Sequence, residues 1–148
     1  MFKSQLSNTH KISEIKRLYD TVNRESGLPR CVYCGVFVAT DLDHVIPRSY
    51  IDDLAELKRL GVDVDVPETI LVNACKFCNC TASNKIFKNF KEKRKYLREQ
   101  FAKHYHRYLN LPYWNEAEIN ELKGKLKEQV YWENRTANDM KERFLNAQ

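Results

Sequence analysis

The 148-residue chain is 43% hydrophobic, so it can bury a core as one domain with a helical extension, and disorder throughout is excluded. Its apolar runs are only a few residues long, which excludes a transmembrane helix, and the opening MFKSQLSNTHK lacks the apolar segment of a secretory signal. We therefore expect a cytoplasmic protein with no membrane partner, while a net charge of +5 and a sequence pI of about 8.9 favour a polyanionic partner.

The first half of the chain predicts two helices and two strands. Apolar residues at helical spacing predict an amphipathic helix over residues 12–26, which ends before a glycine and a proline. Residues 36–47 are rich in β-forming side chains, and the proline that ends this segment cannot continue a paired central strand. A short helix is predicted over residues 52–60 and a second strand over residues 69–74.

The second half predicts helices. One is expected over residues 79–90, and strongly helical sequence continues over residues 91–109. Asn115, with a glutamate three residues later, has the pattern of a capping box and predicts a helix through residue 130. Whether residues 131–148 form one helix or two is left open by the pattern.

Five cysteines form two pairs and a remainder. Cys31 and Cys34 form one C-x-x-C pair, Cys75 and Cys78 form a second, and Cys80 is left over. Two such pairs can complete the tetrahedral sulfur shell of a structural zinc ion. A disulfide framework is the alternative, but the odd number of cysteines and the expected cytoplasmic setting argue against it. The spacing therefore predicts a zinc site.

The sequence around the cysteines resembles the HNH endonuclease family, in its zinc-bearing ββα-metal branch. The resemblance rests on CVYC, LDHVIPRS and ILVNACKFCN followed by SNK, and it spans residues 31–85. It implies an α+β fold in which a small ββα-metal core, residues 31–90, carries a structural zinc. An N-terminal helix, residues 1–30, would pack on that core, and residues 91–148 would form a basic-then-mixed helical extension.

The resemblance also implies roles for three polar residues. His44 matches the general base that activates water, Asp43 matches an oxygen ligand of a catalytic divalent ion, and Asn79 matches the residue that completes that metal site. The four paired cysteines match the structural zinc ligands. A carboxylate and an amide oxygen suit Mg²⁺ or Mn²⁺. Because adjacent strand residues point to opposite faces, Asp43 and His44 can share a site only at a twist, a bulge or a strand end.

Two positions depart from the family pattern. Ile70 stands where the family usually has a bracing asparagine, and Ala82 stands where it often has a lysine. Asp41 or Thr69 could brace the loop instead, and Lys85 could supply the phosphate contact. We expect these departures to affect the rate more than the type of reaction, since the base and the metal ligands are retained. Taken alone, Asn79 would be assigned as a helix N-cap.

The positive charge is concentrated in one segment. Residues 85–108 contain nine Lys/Arg and two Asp/Glu, a net charge of +7 in a chain whose total is +5. Such a segment is often a solvated helix face, but its position beside the cysteine motif favours nucleic-acid binding. The predicted nucleic-acid-binding residues are Lys85, Lys88, Lys91, Lys93, Arg94, Lys95 and Arg98.

The resemblance and the charge together predict a metal-dependent HNH endonuclease that hydrolyses DNA, in double-stranded form, and leaves a 5′-phosphate and a 3′-hydroxyl. Small proteins of this family serve as phage-encoded nucleases, restriction enzymes, homing enzymes and defence effectors. Two alternatives stay open: a zinc-stabilised nucleic-acid-binding module without cleavage, and a nuclease directed at RNA. A homodimer, or a protein partner bound through the C-terminal helices, also stays open.

Overall fold

A computed structural model describes residues 11–24, 27–47, 50, 53–62 and 71–147. Within these residues the chain is mostly helical and contains a small two-stranded sheet, in agreement with the expected α+β class. None of the described helices is both long and apolar enough to cross a bilayer. The elements are α1 (Ile12–Asn23), β1 (Asp41–His44), α2 (Leu54–Arg59), β2 (Leu71–Ala74), α3 (Lys76–Ala82), α4 (Phe90–His104), α5 (His106–Leu109), α6 (Glu116–Asn120) and α7 (Gly124–Asn146).

The chain divides into two compact units. One unit contains Ser26–His104, and the other contains Met1–Glu25 together with Tyr105–Gln148. The N-terminal helix α1 therefore groups with the C-terminal helices, and it packs against α7. Helix α4 groups with the cysteines, although the sequence placed it in the C-terminal extension. The unit that contains Ser26–His104 is called the cysteine unit below.

An antiparallel strand pair and a helix form the centre of the cysteine unit; the pair is called the hairpin below, although residues 45–70, which include α2, connect its strands. Strands β1 and β2 pair antiparallel, with Asp41 opposite Ala74 and His44 opposite Leu71. Helix α3 follows β2 directly and packs against β1. Because four-residue strands bury little by themselves, the hairpin depends on the helices packed against it for its stability.

The predicted helix over residues 79–90 is wrong in its bounds. Helix α3 begins earlier, because Cys75 is its N-cap and accepts a hydrogen bond from the backbone N–H of Cys78 over 3.4 Å. It ends before Ser83, whose φ of 47° lies in the left-handed region and cannot continue a right-handed helix. The next helix starts only at Phe90.

Aromatic side chains fill the interior of the cysteine unit behind α4. Phe101 is fully buried, and its ring packs edge-on against Phe37 and Phe77, with centroid distances of 5.4 Å and 5.8 Å. Leu97, one turn earlier on the same face of α4, is also fully buried. This face therefore holds α4 against the cysteine-bearing turns.

The second unit is helical throughout its described part. The capping box is confirmed, since Asn115 and Glu118 exchange hydrogen bonds at the start of α6. The predicted helix through residue 130 is interrupted, however, because Gly124 has a φ of +64° where α7 begins. From there α7 is one helix through Asn146, which answers the question that the sequence left open.

Candidate metal centre and adjoining polar site

The two C-x-x-C pairs meet in the structure. The four Sγ atoms lie within 4.8 Å of one another, and all four residues are buried: Cys31, Cys34, Cys75 and Cys78. The Sγ atoms of Cys34 and Cys75 are 3.9 Å apart. A tetrahedral four-thiolate site with metal–sulfur bonds of about 2.3 Å has sulfur–sulfur distances of about 3.8 Å. The four cysteines are therefore positioned to hold one metal ion.

Local backbone geometry builds each half of this centre. In the first pair, Gly35 adopts a φ of +74° and its N–H donates to the carbonyl of Cys31, which closes the turn. The N–H of Val36 then donates to Sγ of Cys34 over 3.4 Å. The first turn of α3 directs the N–H of Cys78 to Sγ of Cys75 in the same way. Such N–H donors favour the charged thiolate form that a metal ion needs.

The state of the sulfur atoms also fits a metal centre. All five cysteines are free, and Cys80 is exposed and lies outside the cluster. Hydrogen bonding with Cys34 and with Cys75 lowers the pKa of Cys31. Hydrogen bonding with Cys31 and Cys34 raises the pKa of Cys78 well above that of an ordinary thiol. Four thiolates so close together repel one another, and a bound cation would let all four ionise together.

Asp43, the predicted ligand of a catalytic ion, lies beside this centre and is buried. Its Oδ2 atom accepts a hydrogen bond from the hydroxyl of Tyr33 over 2.5 Å and lies 2.7 Å from Nζ of Lys93. Tyr33 stands between the two cysteines of the first pair. Burial and then the bond to Asp43 raise the pKa of Tyr33, so the phenol keeps its proton and remains the donor. Both contacts fall on Oδ2, and within the described part of the chain Oδ1 accepts no hydrogen bond.

Lys93 is almost completely buried, with 1% of its surface exposed. Besides Asp43, its ammonium group donates to the carbonyl oxygens of His44 over 2.9 Å and Val45 over 3.2 Å. Its three hydrogens therefore all have acceptors. The sequence placed Lys93 among the phosphate contacts, and the structure corrects this placement, because a buried ammonium with three acceptors is not accessible to DNA.

Asn79 lies on α3 and points back to β1. Its Nδ2 atom donates to Oδ2 of Asp41 over 3.0 Å. Asp41 is two residues before Asp43, so both carboxylates lie on the same face of β1. The structure thus brings the helix asparagine to the face that carries Asp43, as a shared metal site would require.

The side chain of His44 lies on the other face of the hairpin. Strand alternation places it with Leu42 and Leu71, which are 61% and 47% exposed. His44 is itself half-buried, and it is the last residue of β1. The predicted strand end is therefore present, but the described hairpin does not direct His44 and Asp43 to one face.

The basic residues of the cysteine unit have two different environments. Four of the predicted phosphate contacts are exposed: Lys85, Lys88, Lys91 and Lys95. Arg94 and Arg98 are half-buried and donate to the carbonyl oxygens of Val32 and Cys34, each over 3.1 Å. The two arginines satisfy backbone acceptors of the first cysteine pair, and the four exposed lysines are the predicted contacts that remain accessible, together called the lysine surface below.

The side chain of Lys93 points into the interior of the cysteine unit. This was not predicted, although the spacing of residues along α4 indicates it. Lys93, Leu97 and Phe101 recur at intervals of four residues, and this spacing places all three on one face of a helix.

Of the positions at which the sequence departs from the family pattern or could compensate for it, Ile70 and Thr69 lie outside the described residues. Ala82 is fully buried.

A separate cleft of about 600 Å³ lies in the unit formed by the terminal helices. Three aromatic residues, Tyr113, Trp114 and Tyr131, contribute to its lining together with residues of α6 and α7. It contains none of the site residues expected from the sequence.

Comparisons with protein-family models, with curated proteins and with solved structures found no match for this chain. The similarity to the HNH family therefore rests on the motif residues themselves.

Proposed function

We propose that this chain is a zinc-stabilised, metal-dependent endonuclease of the HNH type that hydrolyses DNA phosphodiester bonds. The observation that carries this proposal is an antiparallel strand pair between the two cysteine pairs, followed by a helix that bears the second pair and whose Asn79 is bonded to the face of β1 that bears Asp43. This arrangement matches the ββα order that the sequence resemblance implies.

Zinc is the proposed occupant of the four-cysteine centre. Thiolates are soft ligands that select zinc over magnesium or calcium. Four protein ligands complete a tetrahedral shell, which leaves no open position for a substrate, so the proposed role is structural. The ion would hold together turns that are 41 residues apart in the sequence.

The oxygen atoms available near β1 suit a second, divalent ion. Asp43 uses Oδ2 for Tyr33 and Lys93, which leaves Oδ1 as a ligand atom. Asn79 uses Nδ2 for Asp41, which leaves its amide oxygen. Oxygen atoms of this kind favour Mg²⁺ or Mn²⁺. When bound, such an ion would neutralise charge on the phosphate and on the leaving oxygen.

His44 is the proposed general base, and because its side chain lies on the face opposite Asp43, it would have to reach the same phosphate around the end of β1. A neutral imidazole can accept a proton from water at physiological pH, and the half-buried position of His44 at the end of β1 leaves the ring accessible.

The lysine surface would bind the phosphate backbone without regard to sequence. The expected products are a 5′-phosphate and a 3′-hydroxyl.

One observation favours a second candidate, a zinc-stabilised nucleic-acid-binding module without cleavage. Lys93 already places a positive charge 2.7 Å from Asp43, where a divalent ion would also be expected to act. A resident ammonium could therefore stabilise Asp43 in a protein that binds nucleic acid and needs no second metal.

The experiment that tests the proposal is incubation of the purified protein with supercoiled plasmid in Mg²⁺, Mn²⁺ or EDTA, with a single-stranded RNA in parallel. His44→Ala is the test variant. His106→Ala is the matched control, since His106 is exposed on α5 in the other unit.

The proposal expects metal-dependent nicking or linearisation by the wild type and by His106→Ala, and none by His44→Ala. Salt-sensitive DNA binding without cleavage in any metal would favour the binding module. Cleavage of RNA alone would reassign the substrate, and equal cleavage by His44→Ala would remove His44 as the base.

A further inference from the structure

Two residues from different parts of the cysteine unit meet at one carboxylate oxygen. Tyr33 reaches Asp43 from inside the first cysteine pair, and Lys93 reaches it from α4. Tyr33 lies inside the CVYC segment and Lys93 lies outside the motif residues, and neither was expected to contact Asp43. Their shared contact joins the metal-binding turn, the helix and the end of β1 at a single buried point.

The contacts of Lys93 concentrate on consecutive residues. Its ammonium holds the carboxylate of Asp43 and the backbone carbonyls of His44 and Val45, all within 3.2 Å. A buried charge held by three acceptors has a single favourable geometry, since any displacement leaves it unpaired in a poorly solvated site. The backbone that carries His44 is therefore fixed by Lys93.

We propose that Tyr33 and Lys93 are positioning residues. They hold the end of β1 so that Oδ1 of Asp43 points outward and the backbone at His44 keeps a single conformation. Because Tyr33 lies between Cys31 and Cys34, a well-ordered cysteine centre also holds in place the hydroxyl that binds Asp43. The consequence for catalysis rests on the proposed function; the positioning of the strand end does not.

Tyr33→Phe is the primary variant, because it removes one hydroxyl and leaves the ion pair of Asp43 with Lys93 intact. Tyr96→Phe is its control: Tyr96 is a half-buried tyrosine of the same unit whose ring contacts Phe87 and Lys85. Lys93→Met with Asp43→Asn is the second variant, since Lys93→Met alone would leave a buried carboxylate without its partner. Lys103→Met, on an exposed lysine near the end of α4, controls for that change.

The first measurement is amide hydrogen exchange at residues 43–45 by NMR, in proteins with equal zinc content. A hydrogen bond to a charged group contributes about 1.5 kcal/mol or more, so Tyr33→Phe should speed exchange there roughly tenfold. The double variant should have a similar or larger effect, and the two controls should have none. Exchange at wild-type rates in both test variants would overturn the proposal.

The second measurement separates positioning from general stability and from the proposed function. Loss of a residue that orients a metal ligand typically costs 10–100-fold in metal affinity or activity, so Tyr33→Phe should weaken Mn²⁺ binding and lower kcat by about tenfold with KM for DNA unchanged. If the wild type neither binds Mn²⁺ nor cleaves, the proposed function fails, while faster exchange at residues 43–45 still supports the positioning role. Equal Mn²⁺ affinity and kcat in Tyr33→Phe, in an active wild type, would contradict that role.

Discussion

The side-chain amide of Asn79 donates to Oδ2 of Asp41 over 3.0 Å, across 38 residues of sequence. The bond joins α3 to the first strand of the hairpin and orients the amide group of Asn79. It uses the nitrogen of the amide, so the amide oxygen is the atom left for another ligand. Under the proposed function, in which Asn79 binds a divalent ion, Asp41 would orient that ligand, a role that the sequence pattern did not identify.

Asp41→Ala should weaken Mg²⁺- or Mn²⁺-dependent cleavage about tenfold, because Asn79 loses the acceptor that orients its amide. Glu99→Ala is the matched control, as Glu99 is an exposed acidic residue on α4. Cleavage rates over a series of Mn²⁺ concentrations would measure the effect. Identical metal dependence in the two variants would show that the bond to Asp41 has no part in ion binding.

Cys75→Ser should lose the metal ion and most of the cysteine unit's stability, because structural zinc contributes about 10 kcal/mol or more to small domains that depend on it. Cys80→Ser should keep one zinc per chain and the wild-type melting temperature, since Cys80 is exposed and outside the cluster. Metal content by mass spectrometry and melting followed by circular dichroism would test both. A Cys75→Ser protein with full zinc content and an unchanged melting temperature would contradict the four-cysteine assignment.

The stability difference between the wild type and Tyr33→Phe should depend on pH. Burial and the bond to Asp43 raise the pKa of Tyr33, so the unfolded chain loses this proton first, near pH 10. Below that pH the contribution of Tyr33 is fully present. Above it the native state binds more protons than the unfolded state, so the wild type loses stability relative to Tyr33→Phe by up to about 1.4 kcal/mol per pH unit.

Guanidinium denaturation of both proteins from pH 8 to 11, in the presence of zinc, would measure this dependence. A free-energy difference that stays constant across that range would mean that Tyr33 is not held as a buried neutral phenol.

Lys88→Ala combined with Lys91→Ala should weaken DNA binding at low salt and reduce the slope of log K against log salt by about 2, since each phosphate contact contributes about 0.9 to that slope. Lys58→Ala, which removes an exposed lysine from α2, should leave the slope unchanged. Fluorescence anisotropy with a labelled duplex from 50 to 300 mM salt provides the measurement. Equal slopes for the two proteins would exclude the lysine surface as the DNA contact.

Features that depend on spacing along the chain follow from the amino-acid pattern alone. Two C-x-x-C pairs predict four convergent thiols, since residues three apart in a turn can direct both sulfurs to one point. The capping box at Asn115 and the helix that begins at Ile12 follow from residues within one or two turns of each other. Such local patterns need no knowledge of the rest of the fold.

Which charged groups are structural depends instead on packing between segments that are distant in the sequence. Lys93 and Lys95 are two residues apart, yet one is buried against Asp43 and the other is exposed, because α4 packs by the face that also bears Leu97 and Phe101. The pairing of Asn79 with Asp41 likewise joins segments that no local pattern connects. A buried ammonium is stable only where distant carbonyls and a carboxylate converge on it, and chain folding alone creates that convergence.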